Sequence, residues 1–224
     1  MIDKSHFIHG NPIQLNSKIN YPGIYLHIPF CVSRCSYCDF YSTTELDLRD
    51  KFTQALVEEI RLFGEQVKER YKIDTIYFGG GTPSLLSARQ MENIFRQINS
   101  TFEIIENSEI TLEANPGTID LEYIKEYRNM GINRISFGVQ SFDDKELKIL
   151  NRIHSSKEAI ESYHKIREIG FDNVSLDLIY GIPSQTVETW ESNLKIIKSL
   201  EPEHISAYNL IYEKGTFGHC TKSS

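Results

Sequence analysis

Residues 23–40 read Gly-Ile-Tyr-Leu-His-Ile-Pro-Phe-Cys-Val-Ser-Arg-Cys-Ser-Tyr-Cys-Asp-Phe, a short apolar run that passes straight into Cys31, Cys35 and Cys38. The chain has 4 cysteines in 224 residues, and three of them share this loop. A core does not need thiols so crowded. Three thiolates at C-x3-C-x2-C spacing can hold a metal or a metal cluster. The loop follows directly on a strand-like run, and in α/β sheets ligands sit at the carboxyl ends of strands.

Outward from this loop the chain alternates. Strand-like runs fall at residues 23–28, 73–78, 109–114, 132–139, 174–179 and 204–210. Helix-like runs lie between them. Residues 46–70 carry Phe52, Leu56, Ile60 and Phe63 at helical spacing. Ser87, with Gln90 three residues on, forms a capping-box pattern. Residues 120–130 and 156–169 end at Gly131 and Gly170, both placed as C′ glycines. Residues 186–200 stop before Pro202. Strands alternating with helices predict a parallel sheet with right-handed crossovers.

Buried parallel strands usually read as continuous apolar runs. Here Ile110, Leu112 and Ala114 interleave with Thr111, Glu113 and Asn115. Ile135, Phe137 and Val139 interleave with Ser136, Gly138 and Gln140, and Leu176 and Leu178 flank Asp177. One face packs on helices while the other is polar. The fold class expected is therefore α/β, a partial (β/α)6 barrel of TIM type with outer helices and a polar lumen. An open sheet with a few solvated polar residues at its edge is the plainer alternative.

Composition bounds the function. Hydrophobic residues make up 40% and charged residues 25%, as in a soluble globular protein. The net charge of −7 and the lack of a Lys/Arg block argue against nucleic acid as a main partner. The first 22 residues contain no apolar signal-peptide region, and no run approaches the ~20 apolar residues of a transmembrane span. The expected compartment is the cytoplasm, where thiols stay reduced and clustered cysteines favour metal over disulfides. A [4Fe–4S] cluster with one open iron, a zinc site completed by His27 or Cys220, and redox or structural thiols all remain open on these residues alone.

The C-x3-C-x2-C loop, with Tyr37 before the third cysteine, resembles the radical S-adenosylmethionine (SAM) superfamily. The phrase His27-Ile28-Pro29-Phe30-Cys31 continuing to Tyr37-Cys38-Asp39-Phe40 looks like the branch holding oxygen-independent coproporphyrinogen III oxidases and HemW-type heme chaperones. The resemblance runs from about Tyr25 to Thr216. It implies a radical SAM core over 23–216, an N-terminal segment at 1–22 and an atypical tail at 217–224. It implies that Cys31, Cys35 and Cys38 ligate a [4Fe–4S] cluster and that SAM chelates the fourth iron. An external electron donor then drives cleavage of SAM to a hydrogen-abstracting radical.

The resemblance also assigns SAM contacts. Gly80, Gly81 and Thr82 meet the methionyl amino group; a tight turn is the bland reading of those glycines. Glu113, Gln140 and Asp177 match ligand residues, and Arg152 matches an arginine that pairs with a carboxylate. The Ala207 backbone matches the adenine contact, and Tyr25 matches a tyrosine near the cluster. A buried Asp177 needs a partner, either Arg152 or donors of the ligand. His154, His164 and His204 read as ordinary surface or packing residues.

Two departures shape the expected function. The oxidases carry a fourth cysteine two residues after the third, where this chain has Phe40. That leans toward a heme chaperone, with decarboxylation of coproporphyrinogen III as the alternative. The expected partner is accordingly heme or coproporphyrinogen III. The family also continues beyond residue 216, so a truncated chain is expected, with unpaired edges on its first and last strands that favour a homodimer.

Overall fold

The computed structural model describes residues 21–66 and 70–213. The expectations for 1–20, for Cys220 and for the tail at 217–224 lie outside the described residues. Six parallel strands form one sheet in chain order: β1 (Gly23–Ile28), β2 (Lys72–Gly80), β3 (Glu103–Ala114), β4 (Arg134–Gln140), β5 (Val174–Tyr180) and β6 (His204–Asn209). Between them run α1 (Arg49–Gln66), α2 (Ala88–Thr101), α3 (Leu121–Asn129), α4 (Asp144–Ile149), α5 (Ser156–Ile169) and α6 (Val187–Leu200). The order matches the partial (β/α)6 reading.

The helix limits follow from local chemistry. Ser87 accepts from the Gln90 amide while the Gln90 side chain accepts from the Ser87 amide, closing the expected capping box at α2. The same reciprocal pattern opens α5 at Ser155/Glu158 and α6 at Thr186/Thr189. Asp120 caps α3 with its side chain. Gly170, at φ 104°, terminates α5 in the left-handed region. The first helix begins later than the run at 46–70, because Leu46–Leu48 form a separate 3₁₀ turn before α1.

The alternation in the strands sorts the two faces as anticipated. Ile76, Phe78, Leu112, Phe137 and Leu176 pack with Met91, Ile94 and Ile98 of α2 and Ala159 and Ile166 of α5 in one apolar core. Burying each such large side chain stabilises the fold by about 1.5–3 kcal/mol. Tyr127 of α3 is fully buried in this layer and donates its hydroxyl to the Leu86 carbonyl. The opposite face turns Glu113, Ser136, Gly138, Gln140 and Asp177 toward a single cavity. Among the described residues no helix is long and apolar enough to cross a membrane.

Two ladders are irregular. The β2–β3 register shifts between Ile73 and Thr75, with Asn107 at φ 64° in the extra stretch, which lengthens β3 upstream of the run at 109–114. The β4–β5 register shifts between Phe137 and Gln140, and Gln140 takes φ 70°. A non-glycine residue in the left-handed region costs energy and is typically held there by its surroundings. This one sits at the cavity.

Candidate functional site

The cysteine loop leaves the end of β1 and is anchored on both sides. At its base the Cys31 amide donates to the Thr43 carbonyl at 2.9 Å, and the Thr43 amide donates to Pro29 at 2.7 Å. The glycine run ending β2 lies against it: the Gly81 amide donates to Ile28 at 2.8 Å and the Thr82 amide to Phe30 at 2.7 Å. A Cβ on Gly81 would stand 2.7 Å from the Phe30 carbonyl oxygen and 2.9 Å from Cys31 Sγ, so only glycine lets these backbones meet. Gly80, at φ 119°, is excluded from side chains twice over, since a Cβ there would also strike the His27 ring. On the far side, the Ser36 amide donates to Leu150 at 3.3 Å and Asn151 Nδ2 donates to Arg34 at 2.8 Å. Arg34 also donates to the Ser42 carbonyl.

The three thiols are free and half-buried at a cavity of about 540 Å³. Burial pushes the Cys31 and Cys38 thiols up, partly offset for Cys31 by the Thr82 hydroxyl and for Cys38 by the Phe40 backbone. Arg152 Nη1 donates to Cys35 Sγ at 3.3 Å. Its Nη2 donates to Asn115 Oδ1 at 2.6 Å and to the Gly138 carbonyl at 2.7 Å. Burial pulls the Arg152 guanidinium down, but Tyr37 and Cys35 outweigh that and hold it above the ordinary arginine range. A permanent cation therefore stands at the thiol cluster.

The carboxylates form the opposite wall. Glu113 accepts from the Tyr77 hydroxyl at 2.8 Å and from the Gly80 amide at 3.0 Å. Asp177 accepts from Ser136 Oγ at 2.9 Å and more weakly from Ser175 Oγ at 3.4 Å. Burial raises both carboxyls, and these donors only partly reverse it. Each carboxylate is thus oriented but remains short of positive charge. A cationic, hydrogen-bonding ligand in the cavity meets that need.

Of the residues singled out in the sequence, Cys31, Cys35, Tyr37, Cys38, Gly80, Gly81, Thr82, Glu113, Gln140, Arg152 and Asp177 line this one cavity. Tyr25 and Ala207 lie beside it. Tyr25 is exposed, hydrogen-bonded to His27 Nδ1 at 3.1 Å and stacked on Tyr77. Ala207 pairs with Leu178 in the ladder while its neighbours Tyr208 and Asn209 reach the lining. The Arg152–Asp177 pairing raised as one option is not made: Asp177 takes serine hydroxyls, and Arg152 turns to Cys35, Asn115 and Gly138. The sequence reading did not assign Tyr77, Asn115 or Ser136 a role, although Asn115 and Ser136 share the polar alternation of Glu113 and Gln140. Asn115 bridges the site, donating to Thr82 Oγ1 at 2.9 Å while accepting from Arg152.

Fold and site define a class: a parallel α/β sheet of six strands whose C-terminal edge carries a three-thiol loop, a glycine turn and a polar cavity. Residues 25–197 match the model of the radical SAM superfamily, and the chain belongs to that family. The family binds a [4Fe–4S] cluster and S-adenosyl-L-methionine. The chain is 40% identical to the heme chaperone HemW of Haemophilus influenzae, over 86% of its own length and 52% of that protein. It is 35% identical to an oxygen-independent coproporphyrinogen III oxidase of Synechocystis, over 84% of its length and 41% of the oxidase. Among solved structures it is similar to coproporphyrinogen III oxidase (HemN) from Escherichia coli, a radical SAM enzyme. The TM-score is 0.82 at 31% identity, covering 90% of this chain and 47% of HemN. The chain spans about half the length of the curated relatives it matches.

Proposed function

We propose that this chain is the radical SAM core of a heme chaperone. The observation that carries the cofactor reading is Arg152 at 3.3 Å from Cys35 Sγ, a guanidinium aimed at sulfur within a cluster of three free thiols. That is the partner an anionic thiolate-bound cluster needs and a set of neutral thiols does not. The close approach of Gly81 to Cys31 fits the same group, since it leaves open backbone beside a ligand sulfur.

In this reading Cys31, Cys35 and Cys38 hold a [4Fe–4S] cluster and the cavity takes SAM. Gly80, Gly81 and Thr82 offer backbone and hydroxyl groups to its amino acid end. Glu113 and Asp177 supply negative charge toward a sulfonium ligand, and Gln140 and Arg152 supply hydrogen bonds. Tyr25, Tyr37 and Ala207 complete the surroundings. When bound, the pair supplies one-electron reduction and hydrogen-atom abstraction; the protein orients it and limits water. An external reductant provides the electron. The core is assigned to 23–216 and the compartment to the cytoplasm. The free edges of β1 and β6, edge strands among the described residues, are where a second copy would pair.

Heme as the cargo is supported by the heme chaperones among the relatives and by Phe40, exposed in the cavity lining, at the position where the family resemblance puts a fourth cysteine in the oxidases. The similarity to HemN keeps a second reading, oxidative decarboxylation of coproporphyrinogen III. The two separate by assay with the anaerobically reconstituted protein, SAM and a reductant. Stable heme binding without formation of protoporphyrinogen supports the chaperone. Turnover of coproporphyrinogen III overturns it.

A further inference from the structure

Away from the cavity, the short helix α4 carries a buried carboxylate that no part of the proposed chemistry uses. Glu146 is buried, as are Ser141 and Asn193. Its Oε2 accepts from Ser141 Oγ at 2.6 Å, Gln185 Nε2 at 3.1 Å and Asn193 Nδ2 at 3.2 Å, while Oε1 meets no partner among the described residues. Asn193 Oδ1 accepts from the Phe142 amide at 2.7 Å, and Gln185 Oε1 accepts from the Gly181 amide at 2.8 Å. One carboxylate thus ties the turn after β4, the start of α4, the turn after β5 and the face of α6. A carboxylate in such a place is costly unless its hydrogen bonds define a position.

The other end of α4 shows which position that is. Ile149 accepts from Ser36 Oγ at 3.1 Å and Leu150 from the Ser36 amide at 3.3 Å. Asn151 donates to Arg34, and Arg152 donates to Cys35 Sγ at 3.3 Å. Residues 149–152 therefore grip the cysteine loop at Arg34, Cys35 and Ser36. The grip is only as well placed as α4, whose first turn is capped by Asp143 and tied to the β4 and β5 turns and to α6 by Glu146.

We propose that Glu146 is a positioning residue that acts through α4 to place Arg152 on the Cys35 sulfur. Its benefit to a cluster rests on the reading of Cys35 as a ligand, but the grip itself consists of the protein's own hydrogen bonds and is open to test before reconstitution. It is tested there by the rate at which each cysteine is alkylated, resolved by mass spectrometry. In Glu146→Leu, at a pH where the thiols are ionised, Cys35 labelling is expected to rise about fivefold relative to Cys31, because its thiolate is no longer held by one charge-assisted hydrogen bond. Glu146→Gln can still accept from the three donors and is expected to stay within about twofold of the parent.

A folded Glu146→Leu that labels like the parent, or in which all three cysteines speed up together, overturns the proposal. If Glu146→Leu does not fold, Gln185→Ala removes one donor to Glu146 together with the acceptor of the Gly181 amide. A selective rise of about twofold at Cys35 is then expected, and an unchanged pattern overturns the proposal. After reconstitution, the electron paramagnetic resonance signal of Glu146→Leu shifts and that of Glu146→Gln does not. Failure of all the variants and the parent alike to take up iron and sulfide, with the labelling pattern intact, counts against the cluster and leaves the grip standing.

Discussion

His154 sits in the turn after Arg152 and is buried; Nε2–H donates to the Val139 carbonyl at 3.2 Å, and Nδ1 has no partner among the described residues. Burial, reinforced by the Arg152 charge, brings its pKa from 6.5 down to about 4. Above about pH 6.5 both folded and unfolded chains hold it neutral. As the pH falls from there, the unfolded chain takes up the proton first, so stability is lost down to about pH 4, on the order of 3 kcal/mol in all. His154→Leu is expected to flatten the pH dependence of urea unfolding in that window; an undiminished slope would show that another group carries it. The two carboxylates behave in the opposite sense. Asp177 is raised by burial, so between its ordinary and its raised pKa the folded chain holds more protons, and stability falls as pH rises. Asp177→Asn is expected to raise the melting temperature of the cofactor-free protein more at about pH 8 than at about pH 4, while weakening SAM binding. Equal shifts at both pH values would remove the charge from the explanation. The partners of these groups were the least legible part of the site. That Asp177 needed partners follows from its place between Leu176 and Leu178. That one of them is Ser136 depends on strand register, whereas Ser175 shares the face of Asp177 two residues back on β5; Arg152 reaches Cys35 only because α4 sets its direction.

At the scale of elements, the six strands and their helices were readable because the polar and apolar residues alternate along the strands and the helix ends carry caps and glycines. Ser87 with Gln90 and Gly170 were visible as signals and stand where they were expected. The irregularities were not visible. The bulges near Asn107 and Gln140 are left-handed turns at non-glycine residues, which tertiary contacts impose rather than local preference. Two tests belong here. Ser87→Ala removes a cap that accepts from the Gln90 amide and is expected to lower stability by about 1 kcal/mol in urea unfolding; no change would mean that α2 is held by packing alone. Gly81→Ala puts a Cβ against the Phe30 carbonyl and Cys31 Sγ. It is expected to cost about 1–3 kcal/mol and to impair cluster assembly. Normal stability and full iron content in that variant would show that the two backbones can separate freely.

For the whole molecule, the sheet, the glycine turns and α4 converge on one cavity edge, where three thiols, the Arg152 guanidinium and two carboxylates of raised pKa face each other. Nothing in a core requires that arrangement, and a cationic ligand bridging an anionic cluster and the carboxylate wall satisfies every member of it. The most direct test is the iron and acid-labile sulfide content of the anaerobically reconstituted protein beside Cys35→Ser. About four irons and four sulfides per chain are expected in the parent, with loss of most of both in Cys35→Ser, because two thiolates do not hold a cube securely. Stoichiometric zinc without labile sulfide in the parent, or full iron content in Cys35→Ser, contradicts the assignment.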